Sequence, residues 1–171
     1  MGLLDLLKQV TGSAGTNPAD HFDQVAAQAS PAELGRGLAA AMRSDETPPF
    51  GSMVGQLFGQ SSPTQQAGLL NRILAGVGPT ALSGLGGGVL GRILGGAGSS
   101  GATVPQVTPE QASQLTPAQV SEIAAHAEQT HPGIVDQVGD FYAQHSGLIK
   151  MLGGAVLLAT LSKMKDHATG A

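Results

Sequence analysis

Three of the five histidines, His126, His131 and His145, stand among Glu122, Glu128, Asp136 and Asp140. Glu122 and His126 are four residues apart on one helical face, and Glu128 with His131 has the Glu-x-x-His spacing of carboxylate-bridged metal bundles. Such a site needs two of these pairs and two further carboxylates from other helices. The chain offers one, and Pro132 ends the helix directly after His131. Asp136 and Asp140, also four apart, have the spacing of a paired acid–base site. Isolated pairs of this kind read as solvated helix faces. No G-x-S-x-G elbow is present, no Gly precedes a Lys as a phosphate loop requires, and cysteine is missing. We therefore expect a non-enzymatic protein with no catalytic residue, no cofactor and no metal.

A different pattern is more informative. Glycine crowds the stretch 76–101, and Gly87, Gly91 and Gly95 recur at a four-residue interval. The run from Gly86 to Gly91 formally satisfies G-x-G-x-x-G. That motif binds dinucleotides only between a strand and a helix, and 71–83 reads as helix and turn. Glycine inside a helix costs about 1 kcal/mol against alanine. A chain accepts that cost where backbones must approach closely. The expected packing or assembly residues are Gly84, Gly87, Gly88, Gly91 and Gly95 with Leu85, Val89 and Ile93. Leu152 and Val156 of the apolar C-terminal helix join them.

The composition suits assembly. The chain has 171 residues, 41% of them hydrophobic but only 3% aromatic, so its core must be mostly aliphatic. Charged residues make up 12%, about half the usual fraction. Much of the surface is then Gly, Ala, Ser and Gln, which a partner or another copy covers readily. The net charge is −4 with eight Lys and Arg scattered singly, which excludes a basic stripe for nucleic acid. The start of the chain lacks the basic and long apolar regions of a signal peptide. A cytoplasmic protein is expected, either free or peripheral to the inner membrane.

Helix starts are marked five times by one pattern: Asn17-Pro-Ala-Asp20, Ser30-Pro-Ala-Glu33, Ser62-Pro-Thr-Gln65, Thr108-Pro-Glu-Gln111 and Thr116-Pro-Ala-Gln119. Each places a capping side chain before Pro at the first helical position, where the missing N–H has no helical partner anyway. In four of the five, the third residue can reach back to complete a capping box. The expected fold is all-α, a bundle of about ten short helices: 3–11, 18–29, 31–43, 49–60, 63–77, 80–96, 109–115, 117–131, 133–144 and 146–165. No alternating β-branched run predicts a strand.

The two halves of the sequence also resemble each other. Ser30-Pro-Ala-Glu-Leu34 aligns with Thr116-Pro-Ala-Gln-Val120, Ala39 with Ala125, and Val54-Gly55 with Val138-Gly139. Asp136 and Asp140 align with Ser52 and Gln56, so the acid pair is not repeated. We read N-terminal amphipathic helices over 1–29 and a first helical unit over 30–78. A Gly-rich helix and linker over 79–107 then precede a second unit over 108–171 that ends in the apolar helix.

Two segments bear on membranes. Met151 to Ser162 has no charge, but twelve helical residues cover about 18 Å against a hydrocarbon core of about 30 Å. Leu3, Leu4, Leu6, Leu7 and Val10 give the N-terminal helix an apolar face that could dock on a membrane, a neighbouring subunit or its own core. The leading expectation is a self-associating scaffold, a homo-oligomer with a membrane surface as a further partner. The alternative is a membrane-inserting protein that uses 80–97 and 147–162.

Ser30-Pro-Ala-Glu-Leu34, Thr47-Pro-Pro-Phe-Gly51 and the run from Pro132 through Phe141-Tyr-Ala-Gln-His145 resemble small bacterial proteins of the YidB-like kind. The resemblance covers the helical segments but not the Gly-rich stretch. It implies a helical bacterial protein without an assigned activity and supplies no catalytic residue.

Overall fold

The computed structural model describes residues 17–85 and 106–170, with Gly2, Asp5, Lys8, Gln9, Gly12 and Arg92 besides. The fold is all-α. Among the described residues there are nine α-helices and no strand: α1 Pro18–Gln28, α2 Pro31–Met42, α3 Phe50–Gln60, α4 Pro63–Leu85, α5 Pro109–Ala112, α6 Pro117–Thr130, α7 Ile134–Ala143, α8 Ser146–Ile149 and α9 Gly154–Thr169. A 3₁₀ turn, Lys150–Leu152, joins the last two.

The helix starts follow the sequence closely. Pro is the first residue of α1, α2, α4, α5 and α6. Four of these helices close a capping box. In α2 the Ser30 N–H and hydroxyl donate to Glu33 Oε2 at 2.9 and 2.8 Å, while the Glu33 N–H donates to Ser30 Oγ. Gln65, Gln111 and Gln119 take the acid's place in α4, α5 and α6, each accepting from the cap N–H at 2.9–3.0 Å. In α1 the Asn17 side chain accepts from the Ala19 N–H instead.

One helix differs from expectation at a glycine. The helix expected over 146–165 is divided: α8 and the 3₁₀ turn stop at Gly153, whose φ of 94° and ψ of 164° suit only glycine, and α9 begins one residue later. The break expected between 77 and 80 is present: α4 is kinked at Gly78, where φ is 75° and ψ 170°. Helix resumes after that break as far as Leu85.

The chain divides into two compact units, residues 1–49 with 138–171, and residues 50–137. Each unit thus draws on both halves of the sequence, and the division falls inside α7. In the first unit α9 packs on α2 and α1. Its buried side chains include Phe22, Val25, Leu38, Met42, Val138, Tyr142, Val156, Leu157 and Leu161. Lys150 and Asp23 make an exposed ion pair at 2.9 Å, a geometry that contributes little in water. In the second unit α3 packs on α6, and α4 on α5 and α6. Phe50, Met53, Leu57, Phe58, Leu70, Ile73, Leu74, Val120 and Ala124 fill its interior. The scarce aromatics are used as anchors, since Phe22, Phe50, Phe58 and Tyr142 are among the largest fully buried side chains.

Candidate functional site

Two features of the second unit flank the Gly-rich stretch. One is the break at Gly78, two turns beyond Asn71 on α4. The other is Val107, just before α5, whose backbone is held by Asn71. The Val107 N–H donates to Asn71 Oδ1 at 2.7 Å, and Asn71 Nδ2 donates to the Val107 carbonyl at 3.1 Å. Val107 is buried, so both of its polar backbone groups need these partners. A side-chain amide presents one donor and one acceptor side by side, which matches the backbone of a single residue.

Of the residues expected to form the packing surface, Gly84 and Leu85 lie in the last turn of α4. Gly87, Gly88, Gly91, Gly95, Val89 and Ile93 lie outside the described residues. Arg92, in their midst, is helical and exposed. The two C-terminal candidates separate. Val156 is only 2% exposed and belongs to the interior of the first unit, whereas Leu152 is half-buried in the 3₁₀ turn.

Close backbone approach occurs at glycines that the sequence reading did not single out. A Cβ on Gly51 would stand 2.5 Å from the Ser121 carbonyl oxygen, and one on Gly55 would stand 2.6 Å from that of Pro117. Both are on α3 facing α6. In the first unit, a Cβ on Gly139 of α7 would stand 2.7 Å from the Gly35 carbonyl of α2. A signal for these residues was present, because Gly51, Gly55 and Gly59 repeat at the same four-residue interval as Gly87, Gly91 and Gly95. Pro117, Ser121 and Ala125 form the matching small-residue row on α6. Such rows let two helices meet backbone to backbone.

The acids and histidines are not gathered. Glu122 and His131 are exposed, while His126 and Glu128 are half-buried. Asp136 and Asp140 are both exposed. The half-buried His145 lies against the Phe141 ring, centroids 5.0 Å apart, and its Nδ1 is 3.0 Å from the Phe141 carbonyl. Among the described residues no group of three or more His, Asp or Glu could hold a metal ion. A shallow depression of about 180 Å³ in the first unit is lined by Glu33, Arg36, Met164, His167 and Ala168. Glu33 is engaged there by its capping box. The Ser30 N–H, then the Ser30 hydroxyl, and more weakly Arg36, hold its carboxyl below the usual carboxylate range.

No single described helix is long and apolar enough to cross a membrane. Residues 146–152 and 154–169 reach that length and hydropathy only as a pair, bent by 120°. Comparison with protein-family models, curated proteins and solved structures finds no match to the chain.

Proposed function

We propose that this chain is a non-enzymatic scaffold that associates with copies of itself through the Gly-rich segment. The observation that supports this reading most is the use of the Gly-x-x-x-Gly interval by which α3 meets α6 at Gly51 and Gly55. The same interval recurs at Gly87, Gly91 and Gly95 of the Gly-rich stretch. A chain that uses this device once for its interior carries a second copy of it in that stretch. The aligned pairs Gly35/Ser121 and Ala39/Ala125, each set against a glycine of another helix, favour duplication of an ancestral helical unit. The YidB-like resemblance fits a small helical protein of this kind.

Native mass measurement tests the proposal. The wild type should assemble, and Gly91→Leu should return it to single chains.

A second reading, insertion into a membrane, draws on the bent pair 146–152 and 154–169. It requires Val156, Leu157, Ala159, Leu161 and Met164 to leave the interior of the first unit, where all are buried. Flotation with liposomes separates the two readings, because a scaffold assembles without lipid.

A further inference from the structure

The first helix of each sequence repeat packs on the other repeat. The repeats align α2 with α6, and Val54-Gly55 of α3 with Val138-Gly139 of α7. Gly68-Leu-Leu70 of α4 aligns with Gly147-Leu-Ile149, where the run through α8 and α9 begins. Each copy thus holds a first, a second and a third helical segment. In the second unit the first segment of one copy, α6, packs on the second and third of the other, α3 and α4. In the first unit α2 packs likewise on α9, and its Gly35 and Ala39 receive Gly139 of α7. We propose that the same exchange is open between molecules: residues 1–49 of one chain dock on residues 138–171 of a second copy, which reciprocates.

Three observations carry this. The first is that the close contacts of the two units repeat atom for atom. A Cβ on Gly51 would meet the Ser121 carbonyl oxygen, the Ala125 Cβ and the Ala125 nitrogen at 2.5, 3.0 and 3.3 Å. One on Gly139 would meet the Gly35 carbonyl oxygen, the Ala39 Cβ and the Ala39 nitrogen at 2.7, 3.2 and 3.3 Å. Gly35 and Ala39 are the residues aligned with Ser121 and Ala125. Gly139 aligns with Gly55, one turn from Gly51, so the second helix is shifted by one turn between the copies. Two units that each draw on both copies are what a helix-exchanged dimer of a shorter chain becomes when its halves are fused. The second observation is the path of the chain, which leaves the first unit between residues 49 and 50 and returns between 137 and 138. Opening the connector 43–49 alone therefore releases residues 1–49 as one piece. The third is what holds that piece: α1 and α2 pack on α9, Gly37 lies against Met164, and Pro18 lies against Gly154. These contacts are the same whether α9 belongs to the same chain or to another, so only the connector changes, which makes exchange a low-cost route to a dimer.

Exchange requires the first unit to open, because α1 and α2 must leave one α9 before they dock on another. It therefore accompanies refolding at high chain concentration, whereas association through the Gly-rich segment would follow simple concentration of the folded protein. The exchange does not depend on that association.

Pro18 and Gly154 report the exchange in the full-length chain, which has no cysteine of its own. The Pro18 Cβ lies 3.9 Å from the position a Cβ would take on Gly154, close to the mean of about 3.8 Å in disulfides. Chains carrying Pro18→Cys and chains carrying Gly154→Cys are mixed, unfolded in urea, refolded together at high concentration, then diluted and oxidised. Both also carry Gly91→Leu, which removes the contact proposed for the Gly-rich segment. Random pairing gives mixed and like-with-like bonds in equal amounts. Exchange brings the two sulfurs together only in the mixed pair, so mixed bonds should exceed like bonds several-fold. The same mixture refolded dilute should lose that excess. Equal amounts after concentrated refolding, or an excess that dilution leaves unchanged, would overturn the proposal. A second measurement needs no cysteine. Deleting residues 45–47 shortens the connector, and a short hinge favours docking on a second copy. The shortened chain, refolded in the Gly91→Leu background, should give several-fold more helical dimer than Gly91→Leu alone. A shortened chain that folds and gives no more dimer would also overturn the proposal; if it does not fold, the mixed bonds decide.

Discussion

Asn71 and Val107 hold each other by two hydrogen bonds across thirty-six residues of sequence, side-chain amide to backbone. The pair does for one residue what a strand partner does in a sheet, in a protein whose described residues contain no strand. It fixes the backbone of Val107, just before α5, against α4.

Asn71→Ala should destabilise the second unit. A buried N–H and a buried carbonyl at Val107 lose their partners together, and leaving such a group unsatisfied costs about 1–3 kcal/mol. Urea unfolding gives the loss directly. Limited proteolysis should show faster cleavage near 106–107 in the variant, and equal cleavage rates would contradict the anchoring role.

Gly51→Ala and Gly147→Ala should act in opposite directions. At Gly51 the new methyl would meet the Ser121 backbone carbonyl at 2.5 Å, and backbone cannot swing aside as a side-chain tip can. Overpacking of this kind costs about 1–3 kcal/mol, more than the gain of up to about 1 kcal/mol in helix propensity. At Gly147 nothing lies within 4 Å, so the substitution should be neutral or stabilising by a few tenths of a kcal/mol. Thermal melts of the two variants beside the wild type decide the matter.

Glu33 makes α2 sensitive to acid. Its folded-state pKa lies below the ordinary value of 4.5, chiefly through the Ser30 N–H and then the Ser30 hydroxyl. The sign follows from that depression: the carboxylate contributes stability at pH values above 4.5, and the contribution disappears as pH falls through the lowered pKa. Glu33→Gln should therefore be less stable than wild type near neutral pH, with the gap closing in acid. Because Glu33 is exposed, added salt should also narrow the gap. Melting temperatures from pH 7 down to pH 3, at low and high salt, provide the check.

Much of the fold is legible in the sequence for a local reason. Pro at the first helical position and a reciprocal cap three residues on are short-range signals, and all five mark true helix starts. The break at Gly153 is harder to read. Gly153 and Gly154 sit within an uncharged run that looks continuous, and the 3₁₀ turn Lys150–Leu152 with the backbone angle at Gly153 separates α8 from α9. The grouping of helices into units is harder still, because α2 pairs with α9 and α3 with α6 through contacts far apart in sequence. The row Gly51, Gly55, Gly59 was visible at helical spacing, yet the denser glycines after Gly84 drew the packing prediction. Val156 is apolar in an apolar run, and it is buried on α9 in the interior of the first unit.

The proposal of self-association through the Gly-rich segment is tested most directly by native mass measurement of wild type and Gly91→Leu over a range of concentrations. The account predicts a wild-type mass that is a multiple of the 17.0 kDa chain, and a Gly91→Leu protein that is helical but a single chain at the same concentration. A wild type that remains a single chain at the highest concentration, or a Gly91→Leu assembly of unchanged mass, would contradict it.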